Sequence, residues 1–598
     1  MRQFAAEPSC RAAGRRLPAL PAGSMAVLLG GLLPACWLFA LPPARAADYY
    51  IATWGSDAGD GSLEDPWARV QTGLNRAQPG DSVVVHDGTY REPLWTVRGG
   101  SAAARITLRA ENPGQATLLA DDGRVMQVNH PYVSIEGLVF DGQYNDSDVI
   151  RVQSTADHLV FSNNQVRHGR RDGIDLGNNQ DDGSLIGAGF DFLENVSIVD
   201  STLHHFLNMD AGVRVDAHAI VAGGVRGLEI RNSQAYYVSG DALQLQDGAW
   251  DDVTVDSVKF WNGPLPEPAG GFPAGVNPGE NGIDTKQDAS ISTRGRLTIT
   301  GSEFFGWEGD YINNAAAVVL KERVEVVLDG NVFFDNEIAA RLRGRPEDAG
   351  AHVTLVNGVF HGNAVAVRYE DSINNLHLLN NTFGDGHGAF LISAPSSSGA
   401  GDDFQLLNNL FLADAAPGQA SDPSNLAVGP ESFIDAALHD YHLRSGSAAL
   451  DAGITIDEVA ADRNGTPRPQ GDAYDVGAYE GVGHLPPGIF GDADLDGDVD
   501  FGDYMILEAS FGGPGGWEDG DFDFSGTVDF GDYMILEAAF GDTGDMQSAA
   551  PAANIPEPGT MLMLLAGMAG LCGFLRMRKR RRCDRYKLEA QASGFRRK

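Results

Sequence analysis

Cysteine is nearly absent from this chain. Four occur in 598 residues, and Cys10, Cys36, Cys572 and Cys583 all lie near the ends. Residues 47–556 hold none, so no disulfide ties the body together. Basic side chains are scarce there too, 27 against 78 acidic ones, within a whole-chain net charge of −39. Binding a phosphate backbone needs a basic surface, so nucleic acid is excluded as a partner. Long apolar runs are missing except at the two termini, where basic residues gather. The length calls for several domains rather than one core.

The termini read as addresses. Residues 25–41, MAVLLGGLLPACWLFAL, precede Ala44-Arg45-Ala46, so residues 1–46 read as a signal peptide cut after Ala46. At the other end, IPEPGT (555–560), an apolar run (560–575) and RMRKRRR (576–582) follow one another. The apolar run spans roughly 24 Å as a helix, short of a ~30 Å hydrocarbon core, and the Arg/Lys cluster would stay cytoplasmic. This end, residues 556–582, lies between a linker (543–555) and a basic tail (583–598), and it resembles the PEP-CTERM sorting signal. The resemblance implies export, contact with the membrane through segment 560–575, processing by an exosortase-type protease, and a place at the cell surface or outside the cell.

Residues 491–542 hold a duplicated unit, GDADLDGDVDFGDYMILEASF and GDFDFSGTVDFGDYMILEAAF, with fifteen acids and no Lys or Arg. Hard oxygen donors around a glycine turn are what Ca²⁺ requires. The first loop offers Asp492, Asp494, Asp496, Asp500 and Asp503, with the carbonyl of Asp498. The second offers Asp521, Asp523, Ser525, Asp529 and Asp532, with the carbonyl of Thr527. YMILEA follows each loop as a helix. The pair resembles a type I dockerin, which implies Ca²⁺ binding and a cohesin-like partner. Phe501-Gly502 and Phe530-Gly531 stand where dockerins carry a polar recognition pair.

Between these parts an eight-residue pattern recurs ten times: VSIEGLVF (133), LVFSNNQV (159), VSIVDSTL (196), LEIRNSQA (228), VTVDSVKF (253), LTITGSEF (297), VVLDGNVF (326), VTLVNGVF (353), LHLLNNTF (376) and FQLLNNLF (404). Alternating apolar residues predict strands, and the Asn/Asp/Gly/Ser position predicts a bend. A second strand precedes each pattern, from RVMQVN (124) and DVIRVQ (148) to NAVAVR (363) and HGAFLI (387). Its third and fifth residues point inward. Such spacing predicts a solenoid of stacked strands over 47–415; a β-propeller is the alternative, but its blades are ~40 residues long. Residues 49–92, with a helix through Val70, Leu74 and Ala77 opened by Asp65-Pro66, close one end. Residues 416–484 form a cap before the acidic repeat. These features resemble secreted proteins of the pectate-lyase-like superfamily, which implies a mainly β fold, a right-handed parallel β-helix, joined to a small α-helical dockerin-like pair.

The sixth positions of the second strand should face outward. Four successive rungs place Lys286, Lys321, Arg343 and Arg368 there, a basic line on an acidic body. The first positions include Asp148, Asp172, His218, Asp241 and Asn281, and the fourth include Asp175 and Asp284. A basic strip suits a polyuronate, and acids beside it can hold Ca²⁺. The matching chemistry is β-elimination: a base removes the proton next to a carboxylate while cations stabilise the enolate-like charge. Lysine serves as such a base when a neighbouring cation, here Lys321, disfavours its charged form. The stretch ENGIDTKQ (280–287) resembles the calcium-and-lysine strand of β-helical pectate lyases. The resemblance implies Lys286 as base, Asp241, Glu280 and Asp284 as Ca²⁺ ligands, and Arg343 and Arg368 as carboxylate binders, with Lys321 beside them. Asp172 and Asp175 could pair in a hydrolase. His204, His205 and His218 show no metal-ligand spacing and read as ordinary turn or surface histidines. The expected function is a polysaccharide lyase on acidic glycan; the alternatives are a non-catalytic glycan-binding or adhesive surface protein, or a dockerin-scaffolded subunit.

Overall fold

The computed structural model describes residues 46–177, 192–246, 249–287, 293–344, 351–370, 373, 375–386, 389–392, 403–481, 491–494, 498–522 and 527–541. The expected signal peptide up to residue 45, the sorting signal, the basic tail and the calcium-loop positions Asp496, Asp523 and Ser525 lie outside the described residues.

Each eight-residue repeat folds as two short strands on either side of one left-handed residue. That residue is the fifth of the repeat in all ten cases: Gly137, Asn163, Asp200, Asn232, Ser257, Gly301, Gly330, Asn357, Asn380 and Asn408, with φ between 50° and 69°. Asn, Asp and Gly enter this conformation at the least cost, which accounts for nine of the ten identities. The bend sends the chain from one sheet to another: Val133–Glu136 and Val139–Asp141 belong to different sheets. Where the next residue is Asn or Ser, it turns inward and joins a polar ladder. Asn331 accepts from the Ser302 N–H (2.9 Å) and donates to the Ile299 carbonyl (2.9 Å); Asn381 does the same with Gly358 and Leu355. Buried bend polars are thereby satisfied.

The upstream strand supplies a third sheet, so a rung has three strands rather than the expected two. The sheets hold 13, 11 and 13 strands and are parallel throughout. Inside, Phe260, Phe304, Phe333, Phe360, Phe383 and Phe411 stack along the axis with centroids 4.9–5.9 Å apart. Burying each such ring contributes about 1.5–3 kcal/mol, which makes stacked rungs sufficient without disulfides.

Register corrects the reading of the last rungs. Ile338 pairs with Val365, and Val365 with Ala389, so NAVAVR and HGAFLI were framed two residues early. A slip of two keeps every side chain on its own face, so alternation alone cannot reveal it. The helix at the start spans Val70–Arg76 with Arg69 at its N-cap, not Asp65-Pro66; the Val70 N–H donates to Glu92 Oε1 at 2.7 Å. The third sheet runs past residue 415 to the strand Leu426–Val428. Beyond it, Arg468 and Glu480 form a fully buried ion pair at 2.5 Å. In the acidic repeat, helices Phe501–Ser510 and Phe530–Ala539 follow the two loops, as their shared YMILEA predicts, and pack around Leu507, Trp517, Phe522 and Leu536.

Candidate functional site

The outer face of the 11-stranded sheet gathers the candidate side chains, because its outward positions are where polar side chains replace the apolar alternation. At one end stand Asp148, Asp172 and Asp175, contributed by two adjacent rungs whose strands are Ile150–Val152 and Ile174–Gly177. One carboxylate oxygen from each lies within 4.8 Å of the others. They line a cleft of about 560 Å³ together with Arg151, Asn208, His218 and Gln244. Burial, then the charge of Asp172, pushes the Asp148 carboxyl above the ordinary range. Three guanidinium groups offset the acids: Arg171 and Arg124 lie 3.4 and 3.8 Å from Asp148, and Arg151 pairs with Asp175.

His218, on the next rung, is buried rather than at the surface. Its Nδ1 meets Asp172 Oδ1 at 2.8 Å and its Nε2 lies 3.5 Å from Asp241 Oδ2. Burial opposes its charge, but the hydrogen bond to Asp172 and the two carboxylates outweigh this and raise its pKa to about 9. Asp241 in turn accepts from Asn281 Nδ2 (2.8 Å), and Asn281 Oδ1 accepts the Ala316 N–H (3.1 Å). Along the first-position column, Asp172–His218 and Asp241–Asn281 are hydrogen-bonded pairs, joined by the 3.5 Å ion pair of His218 with Asp241. Burial, then the neighbouring Asp284, lifts Asp241 to about 7. His204 is buried as well and stacks on Tyr236 (5.0 Å); burial, then His205, lowers its pKa to about 3.

Further along the face, Lys286 and Lys321 share Asp284. Lys321 Nζ lies 2.9 Å from Asp284 Oδ1 and Lys286 Nζ 3.6 Å from Oδ2, while Lys286 Nζ also donates to Gln244 Oε1 at 2.5 Å. Asp284 offsets the repulsion between the two ammonium groups. Lys321 and Arg343 are register partners, as expected, but Arg343 pairs with Glu370, and Arg368 pairs with Arg341. The basic column therefore ends at Arg343, and Arg368 belongs to the neighbouring column because of the two-residue slip. Arg341, Arg343 and Arg368 still converge, on Glu370, with Nε–O distances of 3.2, 3.4 and 2.5 Å.

The expected ligand set Asp241, Glu280 and Asp284 is not brought together. Asp241 is held by His218 and Asn281, Asp284 by the lysines, and Glu280 by Arg214 Nη2 at 2.6 Å. Among the described residues, acids gather closely enough for a metal at Asp148–Asp172–Asp175 and at Asp492–Asp494–Asp503. Of the first group, the sequence shows Asp148 and Asp172 at equivalent positions of consecutive second strands and Asp175 at a different one, and it does not mark the three as a metal site. In the second, Asp500 caps the helix and Asp503 completes its capping box, accepting the Asp500 N–H at 2.8 Å and the loop Ala493 N–H at 2.6 Å. Asp529 and Asp532 repeat that capping box at the second loop.

The acid trio fits a hard divalent cation. It offers only carboxylate oxygens, and Asp148 Oδ1 is buried without a hydrogen-bond partner, its nearest cation being Arg171 at 3.4 Å.

Comparison with known proteins agrees with this architecture. Residues 554–581 match the PEP-CTERM protein-sorting motif, which marks proteins for export and C-terminal membrane anchoring. Among the described residues no helix is long and apolar enough to cross a membrane, and segment 560–575 lies outside them. The chain is 32% identical to pectate lyase PEL9 of Emericella nidulans (strain FGSC A4) over 78 residues, which cover 12% of this chain and 19% of that protein. It thus spans about a fifth of the curated relative it matches. Among solved structures, pectate lyase Pel9A matches with a TM-score of 0.42 at 16% identity, over 73% of this chain and 97% of that one. The GH136 lacto-N-biosidase from Eubacterium ramulus matches with a TM-score of 0.43 at 13% identity, over 60% and 68%. Residues 49–292 match the family model described as Pel9A-like, right handed beta helix region.

Proposed function

We propose that this is an exported, surface-associated protein that binds an acidic polysaccharide along the outer face of the 11-stranded sheet and cleaves it by β-elimination. The observation that carries the reading is the order of charges on that face: an acid trio, then Lys286 and Lys321, then Arg341, Arg343 and Arg368. Asp148, Asp172 and Asp175 would hold Ca²⁺, which when bound screens the carboxylates of protein and sugar from each other and withdraws charge from the sugar. Lys286, as the neutral amine, takes the proton next to the uronate carboxylate and becomes the ammonium. The C–H electrons form the ring double bond, and the glycosidic oxygen leaves and takes a proton from water. Arg343 stabilises the charge that develops, and Lys321 and Arg368 hold neighbouring carboxylates.

A second reading, glycan binding without chemistry, is favoured by one feature. Asp175 and Asp284 are separated by three strand steps, through Val221 and Gln244, so their backbones lie on the order of 14 Å apart, and even with Lys286 Nζ reaching back to Gln244 the amine stands two strand steps from Asp175. The acidic repeat is proposed as a dockerin-like Ca²⁺ pair that docks a cohesin-like module, and the sorting motif as the site of exosortase processing.

The test is incubation with polygalacturonate, alginate and chondroitin, with Ca²⁺ or with EDTA, following absorbance of the unsaturated product. The lyase reading predicts product from at least one glycan and its loss in EDTA. No product from any of them leaves the binding reading.

A further inference from the structure

We infer that a second sugar subsite adjoins the acid trio, in a pocket of about 320 Å³ lined by Tyr144, Arg170, Asn208, Met209 and the Gly270–Gly271 pair. It rests on the reading of the trio's cleft as a polyuronate site. Asn208 borders both cavities, so the pocket continues the cleft. The Asn208 residue is only 8% exposed, and its Oδ1 has no hydrogen-bond partner, while its backbone N–H is taken by Ser239 Oγ at 3.1 Å. The amide oxygen is thus an unsatisfied acceptor in the wall that the two cavities share.

The pocket is preformed by two insertions that are not rungs. The hairpin Asn208–Asp210/Val213–Val215 packs against the loop 263–279. A Cβ on Gly270 would sit 2.2 Å from Leu207 Cβ, and one on Gly271 would sit 2.8 Å from Met209 Cβ, so glycine is what allows this approach. Leu207, Leu265 and Phe272 seal the contact beneath, and Arg214 bridges the two insertions by donating to the Pro278 carbonyl at 3.2 Å and to Glu280 at 2.6 Å. Tyr144 is fixed as well: its N–H donates to the His168 carbonyl at 2.6 Å in a left-handed conformation (φ 55°). Burial raises its phenol pKa, so the ring carries a neutral hydroxyl.

The chemistry selects the occupant. A half-buried aromatic ring suits the apolar face of a pyranose, an amide oxygen its hydroxyl, and a guanidinium its carboxylate. Arg170 is held by Asp210 at 3.4 Å, with side chains 38% and 69% exposed, a pair weak enough to exchange for a ligand carboxylate. The occupant is one uronate of the same chain whose neighbour lies over the acid trio.

Calorimetric titration of the full-length protein with tetragalacturonate in Ca²⁺ tests this. Arg170→Gln should weaken binding roughly tenfold, the loss of one charge-assisted contact. Asp210→Asn, which releases Arg170, should tighten it about threefold, whereas a merely structural role would not give opposite signs. Terbium luminescence should show an unchanged metal affinity in both variants. Wild-type binding that both variants leave within twofold of its value overturns the subsite alone. A wild-type protein that binds no tetragalacturonate overturns the cleft reading and the subsite with it.

Discussion

Replacing Lys286 by alanine is expected to lower the rate of unsaturated-product formation by about 10²–10⁴-fold, the range for loss of a positioned general base. Binding of the polymer should weaken far less, because Lys321 and the three arginines remain on the face. The reason lies in where the ammonium sits. Lys286 Nζ donates to Gln244 at 2.5 Å, and Gln244 lines the cleft, so this amine reaches the cleft's edge. Lys321 is held by Asp284 at 2.9 Å, and Lys321→Ala should accordingly raise KM more than it lowers kcat. A Lys286→Ala variant as active as wild type would remove Lys286 from the role and move the chemistry elsewhere on the face or leave binding alone.

His218→Leu is expected to destabilise the β-helix by about 3–5 kcal/mol, because it leaves the buried Asp241 carboxylate and the partly buried Asp172 carboxylate without their shared cation. Urea unfolding in EDTA measures this free of metal binding. The pH dependence has a definite sign. The folded pKa of His218, about 9, lies above its ordinary value of 6.5. Its contribution is fully present below pH 6.5 and is lost as pH rises through about 9. Wild type should lose stability across that window and the leucine variant should not. Equal slopes would show that His218 is neutral in the folded protein.

Much of the fold was legible because two periodicities coincided. Alternation marked the strands, and Asn, Asp or Gly at the fifth position marked the bends, since a left-handed residue there is a local steric requirement. The division of each repeat between two sheets was not legible, because the strands on either side of a single left-handed residue read as one. The shift of Arg368 out of the basic column escaped for a related reason: a two-residue slip preserves inside and outside, and only hydrogen-bonded register reveals it. Of the candidate site, the shared sixth position of Lys321 and Arg343 matches their register, and Lys286 and Lys321 meet at Asp284. The acid trio was present as Asp148 and Asp172 at first positions and Asp175 at a fourth, but the partners that separate these three from Asp241, Glu280 and Asp284 come from Arg214, Asn281 and His218. Those contacts depend on rung-to-rung spacing and on an inserted hairpin, which no local pattern encodes.

The most direct test of the central claim is equilibrium binding of polygalacturonate to wild type and to the double variant Asp148→Asn/Asp175→Asn, each with Ca²⁺ and with EDTA. Both proteins keep the acidic repeat, so calcium held there cancels from the comparison. Wild type should bind in Ca²⁺ and lose the polymer in EDTA, and the double variant should bind weakly in both. Equal affinity in the two proteins, unaffected by EDTA, would contradict a metal-assisted polyuronate site on this face.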